Sequence, residues 1–154
     1  MKRVLRMFLW IIVILVALAI AGAVYVRNAN LAATIWHLDP EGAKSTGKPN
    51  SFRVSPTGEG KAHQSPVFDM SAAELMTRFQ RMALAQPDTI LLGERDGFAT
   101  FVQRTKLVRF PDYISVKAVE VEGGAALHIF SRSRFGYSDR GMNRKRILGW
   151  LEKL

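Results

Sequence analysis

Residues 113–134 read YISVKAVEVEGGAALHIFSRSR, and this stretch decides the predicted fold. Two runs rich in β-branched and aromatic residues, Tyr113–Glu122 and Ala125–Arg134, flank the dipeptide Gly123-Gly124. Such runs favour strands, and glycine reaches the positive φ that a tight hairpin needs. The pattern predicts an antiparallel hairpin in which Glu122 lies opposite Ala125.

The predicted register gives the hairpin two unlike faces, because successive side chains of a strand point to opposite sides. The face expected to meet the helices carries Ile114, Val116, Ala118, Leu127 and Ile129. The opposite face is polar and basic, and carries Tyr113, Ser115, Lys117, Arg132 and Arg134.

The neighbouring sequence extends this hairpin into a sheet. Thr89–Glu94 and Phe98–Thr105 also favour strands, and the turn dipeptide Asp96-Gly97 joins them. A weak strand is expected around Val67.

Two helices complete the predicted domain. Ser71-Ala72-Ala73-Glu74 fits a capping box that begins a helix, and Pro87 ends it. Ser138 or Asp139 can cap a final helix with an apolar face. The predicted fold class for residues 66–154 is α+β: an antiparallel sheet with two helices on one face, in the order β-α-β-β-β-β-α.

An uncharged apolar run, Phe8–Val26, lies near the N-terminus. At 1.5 Å per residue it forms a helix about 28 Å long, which matches a hydrocarbon core of roughly 30 Å. Trp10 and Tyr25 lie near its two ends, where amphipathic rings favour the membrane interface. Residues 1–27 are therefore predicted to be a transmembrane signal anchor.

The flanking charges predict the orientation of this anchor. Lys2, Arg3 and Arg6 precede the run, and only Arg27 follows closely. The positive-inside rule then places the N-terminus in the cytoplasm and the domain on the periplasmic, or otherwise extracytoplasmic, side of the inner membrane. A cleaved signal peptide is the alternative, because residues 17–23 contain Ala-x-Ala patterns.

Residues 28–65 are rich in Gly, Pro, Ser and Lys and are predicted to be a flexible linker, in which Phe52 and Val54 could form a short edge strand. The formal charge of +9 predicts an anionic partner. The chain has no cysteine, which excludes disulfides and thiol nucleophiles. His37, His63 and His128 lack metal-ligand spacing, so neither a metal nor a cofactor is predicted.

The densest cluster of charge is residues 131–146, SRSRFGYSDRGMNRKR, in which six of sixteen residues are Lys or Arg. This stretch, with Val102-Gln103-Arg104 and Phe110–Ile114 upstream, resembles the bacterial domain of unknown function family 1499 over roughly residues 66–154. The resemblance implies a small exported or membrane-attached protein. It implies no activity and no catalytic residue, and Arg140 and Met142 depart from the family pattern.

The motif has two interpretations. In the first, a helix N-terminus and its nearby donors bind an anion through Arg132, Arg134, Ser138, Asn143 and Arg144. In the second, Asp139 caps the helix and pairs with Arg134 or Arg144, so that the motif only fastens the strand to the helix.

The expected function is a non-enzymatic binding or accessory module for an anionic envelope component, such as a lipid, a polymer or a metabolite. A hydrolase or transferase acting on an anionic substrate is one alternative, since the same arginines would stabilise developing charge. A structural subunit bound to a membrane protein partner is another. Nucleic acid is not expected as a partner, because the domain is predicted to leave the cytoplasm.

Overall fold

A computed structural model describes residues 2–29 and 31–154. The helices are α1 (Lys2–Arg27), α2 (Ala33–Trp36), α3 (Ala72–Leu84) and α4 (Met142–Leu151). The strands are β1 (Ser51–Ser55), β2 (His63–Gln64), β3 (Thr89–Arg95), β4 (Phe98–Arg104), β5 (Pro111–Val121) and β6 (Gly124–Ser133).

The strands form one six-stranded sheet in the order β2-β1-β6-β5-β4-β3. All neighbours are antiparallel except β1 and β2, which are parallel. The predicted α+β class is confirmed. The prediction that the sheet is fully antiparallel is wrong at one edge, where β1 and β2 are parallel. Both strands come from residues predicted as linker.

The hydrophobic core lies between this sheet and the two helices α3 and α4, as predicted. Phe79 of α3 lies 6.0 Å from the ring of Phe101 on β4 and 5.9 Å from Trp150 of α4. The predicted apolar face of the hairpin points into this core, with Ile114, Val116, Leu127 and Ile129 buried. Ser71 caps α3 by accepting a hydrogen bond from the Glu74 amide at 3.2 Å.

The register of the central hairpin differs from the prediction. Val121 pairs with Gly124, so the two-residue loop is Glu122-Gly123. Gly124 instead lies within β6, where a Cβ atom would come 2.0 Å from the carbonyl oxygen of Phe68. Phe68 forms an isolated bridge with Ala125 in place of the expected strand near Val67. Because the shift moves the pairing by two residues, the predicted faces are unchanged.

The polar, basic face of the sheet is covered by residues predicted as linker. The ring of Trp36 stacks on Tyr113 with centroids 4.2 Å apart, and His37 and Asn50 are buried. Lys117 pairs with Glu41 at 2.6 Å and with Asp39 at 3.5 Å. Residues 51–55 form β1, an inner strand paired with β6. Much of the segment 28–65 therefore packs against the sheet.

Helix α1 is long and apolar enough to cross a membrane, and its composition and position equally fit a signal sequence. Phe8, Trp10 and Tyr25 are exposed, whereas Val26 is buried at the C-terminal end of the helix. At that end the Tyr25 ring lies 6.1 Å from Phe135.

Candidate functional site

The basic motif runs from the end of β6, through residues 134–141, into the first turns of α4. Alternation along β6 separates its side chains. Ser131 and Ser133 point towards α4 and hydrogen-bond Asn143, whereas Arg132 points to the opposite face of the sheet, where it meets Trp36. The motif therefore divides between the two faces of the sheet.

Asn143, which is fully buried, is the centre of the network between β6 and α4. Its side-chain amide donates to the Asn50 carbonyl at 3.0 Å, to Ser133 Oγ at 3.0 Å and to Asp139 Oδ2 at 2.7 Å. Its Oδ1 atom accepts from Ser131 Oγ at 2.5 Å. This Asn143 network fastens β1, β6 and α4 together.

Asp139 supports the first turn of α4. Its carboxylate accepts hydrogen bonds from the backbone amides of Gly141 and Asn143 at 2.9 and 2.8 Å. The formal N-cap position is Gly141, which has a φ of 77°. Asp139 thus acts from two residues before the N-cap.

Arg146, which was not singled out from the sequence, completes this network. Its guanidinium pairs with Asp112 at 2.5 Å and donates to Asn143 Oδ1 at 2.8 Å and to Gln103 Oε1 at 2.5 Å. The side chains of Arg146 and Asp112 are only 9% and 6% exposed. One buried ion pair therefore connects α4 to β5. The sequence gave no sign that Arg146 is buried, because it lies within a run of basic residues.

Arg132 is buried to 2% exposure on the other face of the sheet. It donates to Ser115 Oγ and to the carbonyls of Phe130 and Trp36, and its guanidinium lies 4.8 Å from the Phe130 ring centroid. Among the described residues no carboxylate pairs with it. Burial first, and then the nearby Arg53 cation, lowers the pKa of Arg132 to about 10, so the group stays cationic at neutral pH.

The structure does not bring the five predicted anion-binding residues together. Arg132 and Asn143 are buried on opposite faces of the sheet. Arg134 lies 5.7 Å from the Trp36 ring and 5.2 Å from the Phe135 ring. Ser138 is exposed and accepts from the Arg140 amide, and Arg144 lies 5.9 Å from the Phe52 ring.

A separate cleft of about 520 Å³ lies beside β1. We refer to it as the basic cleft, because three basic residues line it together with two aromatic residues and several small or polar ones. The lining residues are Ser45, Gly47, Lys48, Pro49, Ser51, Phe52, Arg53, Lys61 and Tyr137. Arg144, one of the predicted site residues, borders it through Phe52. No acidic residue is among its lining residues.

The three cations of the basic cleft differ in how firmly they are held. Arg53 donates to the carbonyls of Pro40 and Ala43 and lies 3.8 Å from the Phe130 ring, and burial lowers its pKa. Lys48 and Lys61 are exposed, and neither forms an ion pair within the described part of the chain. One guanidinium held by hydrogen bonds and two exposed ammonium groups therefore surround the same space.

Sequence reasoning missed this cleft because all of its lining residues except Tyr137 lie in the segment predicted as a linker. The sequence showed the alternating apolar residues Phe52 and Val54 and the lysines at positions 48 and 61. What was not visible is that β1 pairs with β6, which brings residues 45–61 beside Tyr137.

No metal centre emerges from residues 2–29 and 31–154. No group of three His, Asp or Glu residues there could hold a metal ion. His128 pairs with Lys117 in the middle of the hairpin, and burial lowers its pKa, with Glu41 and Asp39 opposing that shift and Lys117 adding to it. The charged groups acting on His128 are therefore Glu41, Asp39 and Lys117.

Comparison with family models gives a match to a protein family of unknown function (DUF1499) over residues 43–154. The chain belongs to this family, and the resemblance found in the sequence is confirmed. The match begins well before residue 66 and includes β1, β2 and the basic cleft. No curated protein and no solved structure matches the chain.

Proposed function

We propose that this member of the DUF1499 family is a membrane-anchored, non-enzymatic module that binds an anionic envelope component in the basic cleft. Helix α1 remains uncut as a single span of the inner membrane, with its N-terminus in the cytoplasm and the domain on the extracytoplasmic side. The hydropathy of α1 supports the span. The greater number of basic residues before the apolar run than close behind it supports the orientation.

The observation that carries the proposal is the composition of the basic cleft. Lys48, Arg53 and Lys61 line it, and no carboxylate among its lining residues offsets their charge. Like charges gathered without internal partners raise the local potential and attract an anion. A volume of about 520 Å³ lies within the range of roughly 300–1,000 Å³ typical of small-ligand pockets.

The lining also indicates the chemistry of the ligand. Arg53 presents a planar guanidinium held by two carbonyls, which suits a phosphate or carboxylate. Phe52 and Tyr137 add aromatic surface on which a sugar or acyl portion can pack. The ligand is therefore an anion carried on a larger scaffold: a lipid head group, a segment of an acidic polymer or an acidic metabolite.

The same lining favours binding over catalysis. No histidine, aspartate or glutamate is among its residues, so the groups that most often act as general acid and base are absent from this cleft. A hydrolase or transferase would have to use Lys48, Lys61 or Tyr137 of the lining for proton transfer.

The test is native mass spectrometry of the full chain extracted gently from cell envelopes. We expect an anionic adduct on the unmodified chain. A triple variant, Lys48→Gln, Lys61→Gln and Arg144→Gln, should lose the adduct or bind it about tenfold more weakly, because each exposed charge contact contributes up to about 1 kcal/mol.

Lys153→Gln is the matched control, since Lys153 is an exposed lysine that does not line the basic cleft. It should retain the adduct, and added salt should weaken the adduct of both chains. A chain that is empty under gentle conditions, or an adduct that the triple variant retains unchanged, contradicts the proposal.

A further inference from the structure

Among the described residues outside α1, the most exposed large apolar side chain is Leu107, at 86% exposure, in the loop between β4 and β5. Single exposed leucines are common on soluble domains. This one lies beside the end of α1, because Arg27 Nη1 approaches the Leu107 carbonyl oxygen at 3.5 Å. Phe110, at the end of the same loop, is also exposed.

Three contacts from separate segments hold this loop region to the end of α1. Besides the Arg27 contact, Arg104 Nη2 donates to the Ala29 carbonyl at 3.3 Å, and Tyr25 packs edge-on against Phe135 at 6.1 Å. These contacts involve residues 104–110 and Phe135. They fix the position of the loop relative to the C-terminal end of α1.

The end of the apolar run gives the level of the membrane surface. The uncharged run stops at Val26, and Arg27 is the first charge after it. A charged residue at the end of a span lies at the level of the lipid head groups. Leu107, whose backbone contacts Arg27, then lies at that same level.

The charge around Leu107 is also suited to a membrane surface. Arg104, Lys106 and Arg109 are all within three residues of Leu107, and the acidic partner there is Asp88, which pairs with Arg109. Burial, and then the neighbouring Arg109 and Arg134 cations, lower the pKa of Arg104, with Tyr113 opposing. An apolar tip between basic residues is the pattern of segments that bind anionic bilayers.

We propose that residues 105–110 form a bilayer-docking loop, in which Leu107 and Phe110 enter the interface of the leaflet that α1 leaves and Lys106 contacts anionic phospholipid head groups. The inference rests on α1 being a retained span, as in the proposed function. It adds a second contact with the bilayer, which fixes the tilt of the domain and keeps the basic cleft near the head groups.

The experiment uses the full chain in nanodiscs of equal parts phosphatidylglycerol and phosphatidylcholine. The chain has no cysteine, so Leu107→Cys gives a unique attachment point for a bimane fluorophore. We expect a blue shift of the label and loss of its emission when the lipids carry a quencher just below the head group. Discs of phosphatidylcholine alone should give less quenching, because Lys106 and its neighbours then lack an anionic partner.

Val67→Cys is the matched control. Val67 is an apolar side chain at 55% exposure, and it adjoins Gly123 at the opposite end of the sheet, about 33 Å along β5 at roughly 3.3 Å per residue. Its label should be neither shifted nor quenched.

A Leu107→Cys label that remains in water overturns the inference, even if the native adduct of the basic cleft persists. A blue shift without lipid quenching overturns it as well, because it would show that a protein covers the loop. Loss of the adduct with quenching retained would overturn the proposed function and leave the bilayer contact in place.

Discussion

The two faces of the sheet are both covered, but by different physical interactions. Helices α3 and α4 cover one face with aliphatic and aromatic side chains. The other face carries polar side chains, Ser115, Lys117 and Arg132, beneath residues 33–43, together with buried apolar and aromatic side chains such as Val102 and Phe130. The first cover depends on apolar burial and the second on hydrogen bonds, ion pairs and aromatic stacking.

The two buried arginines of the basic motif show the difference most clearly. Arg146, on the helix side, has a carboxylate partner in Asp112. Arg132, on the other side, has carbonyls, a hydroxyl and aromatic rings around it. The same residue type thus occupies two environments, and we expect the two to respond differently to the same substitution.

The largest effect is expected for Arg146→Met. This change leaves the buried Asp112 carboxylate without its cation, and breaking a buried pair costs about 3–5 kcal/mol. Urea unfolding of the full chain in detergent should show that loss. Arg144→Met on the same helix is the control, because Arg144 is exposed and should change stability by less than about 0.5 kcal/mol. If both variants lost the same free energy of unfolding, the buried pair between Arg146 and Asp112 would contribute no more than the exposed Arg144.

Trp36→Ala tests the cover of the polar face. Trp36 stacks on Tyr113 with planes 7° apart and lies 5.7 Å from Arg134, and its loss should cost about 2 kcal/mol, less than a fully buried aromatic residue. The same urea experiment measures it. Ile35→Ala changes the preceding residue, which is exposed, and should be nearly neutral. A neutral Trp36→Ala would show that residues 33–36 do not stabilise the sheet.

The contrast between the faces also explains how far the sequence predicted the structure. The apolar alternation of Ile114 and Val116 and the capping box at Ser71 are local signals, and they correctly predicted the helix-covered side. The cover of the polar face and strand β1 both come from residues 31–55, whose glycines and prolines read locally as loop. The strand partners of β1 are about 80 residues away on β6, so no short-range pattern could reveal them.

The residues of the candidate site also divide into those that local sequence signals indicated and those that long-range pairing brought in. Arg144 was singled out from the motif and borders the basic cleft, but Lys48, Arg53 and Lys61 came from the supposed linker. Asn143 was predicted to donate a hydrogen bond to an anion because it lies at the N-terminus of the final helix. In the structure its amide is already used by Asn50, Ser133 and Asp139.

Arg132→Met should have a smaller effect than either earlier change. Methionine keeps the apolar volume among Trp36, Tyr113 and Phe130 and removes a buried charge that has no carboxylate partner among the described residues. The three hydrogen bonds that Arg132 donates are lost, but a buried charge no longer has to be desolvated, and because these two effects oppose each other we expect a change within about 1 kcal/mol by urea unfolding. A loss as large as that of Arg146→Met would erase the proposed difference between the two arginines.

The smallest expected effect is a pH dependence that originates on the polar face. His37 is buried there, with Nδ1 2.9 Å from Thr100 Oγ1 and its ring stacked on Phe98. Burial first, and then the Arg95 and Arg132 cations, lower its pKa below 6.5, with Asp96 opposing. Burial also lowers the pKa of His128.

A histidine whose pKa is lower in the folded state than in the unfolded state binds its proton less readily when folded. The unfolded chain therefore holds more protons just below pH 6.5, and stability present above that pH is lost as the pH falls through the window down to the folded-state pKa. The melting temperature should decline across this window. His37→Gln should flatten part of that decline, whereas His63→Gln, at an exposed position on β2, should leave it unchanged. If His37→Gln retained the full decline, the proton uptake would have to be assigned to another group, first of all His128, which lies on the same face of the sheet and whose pKa burial also lowers.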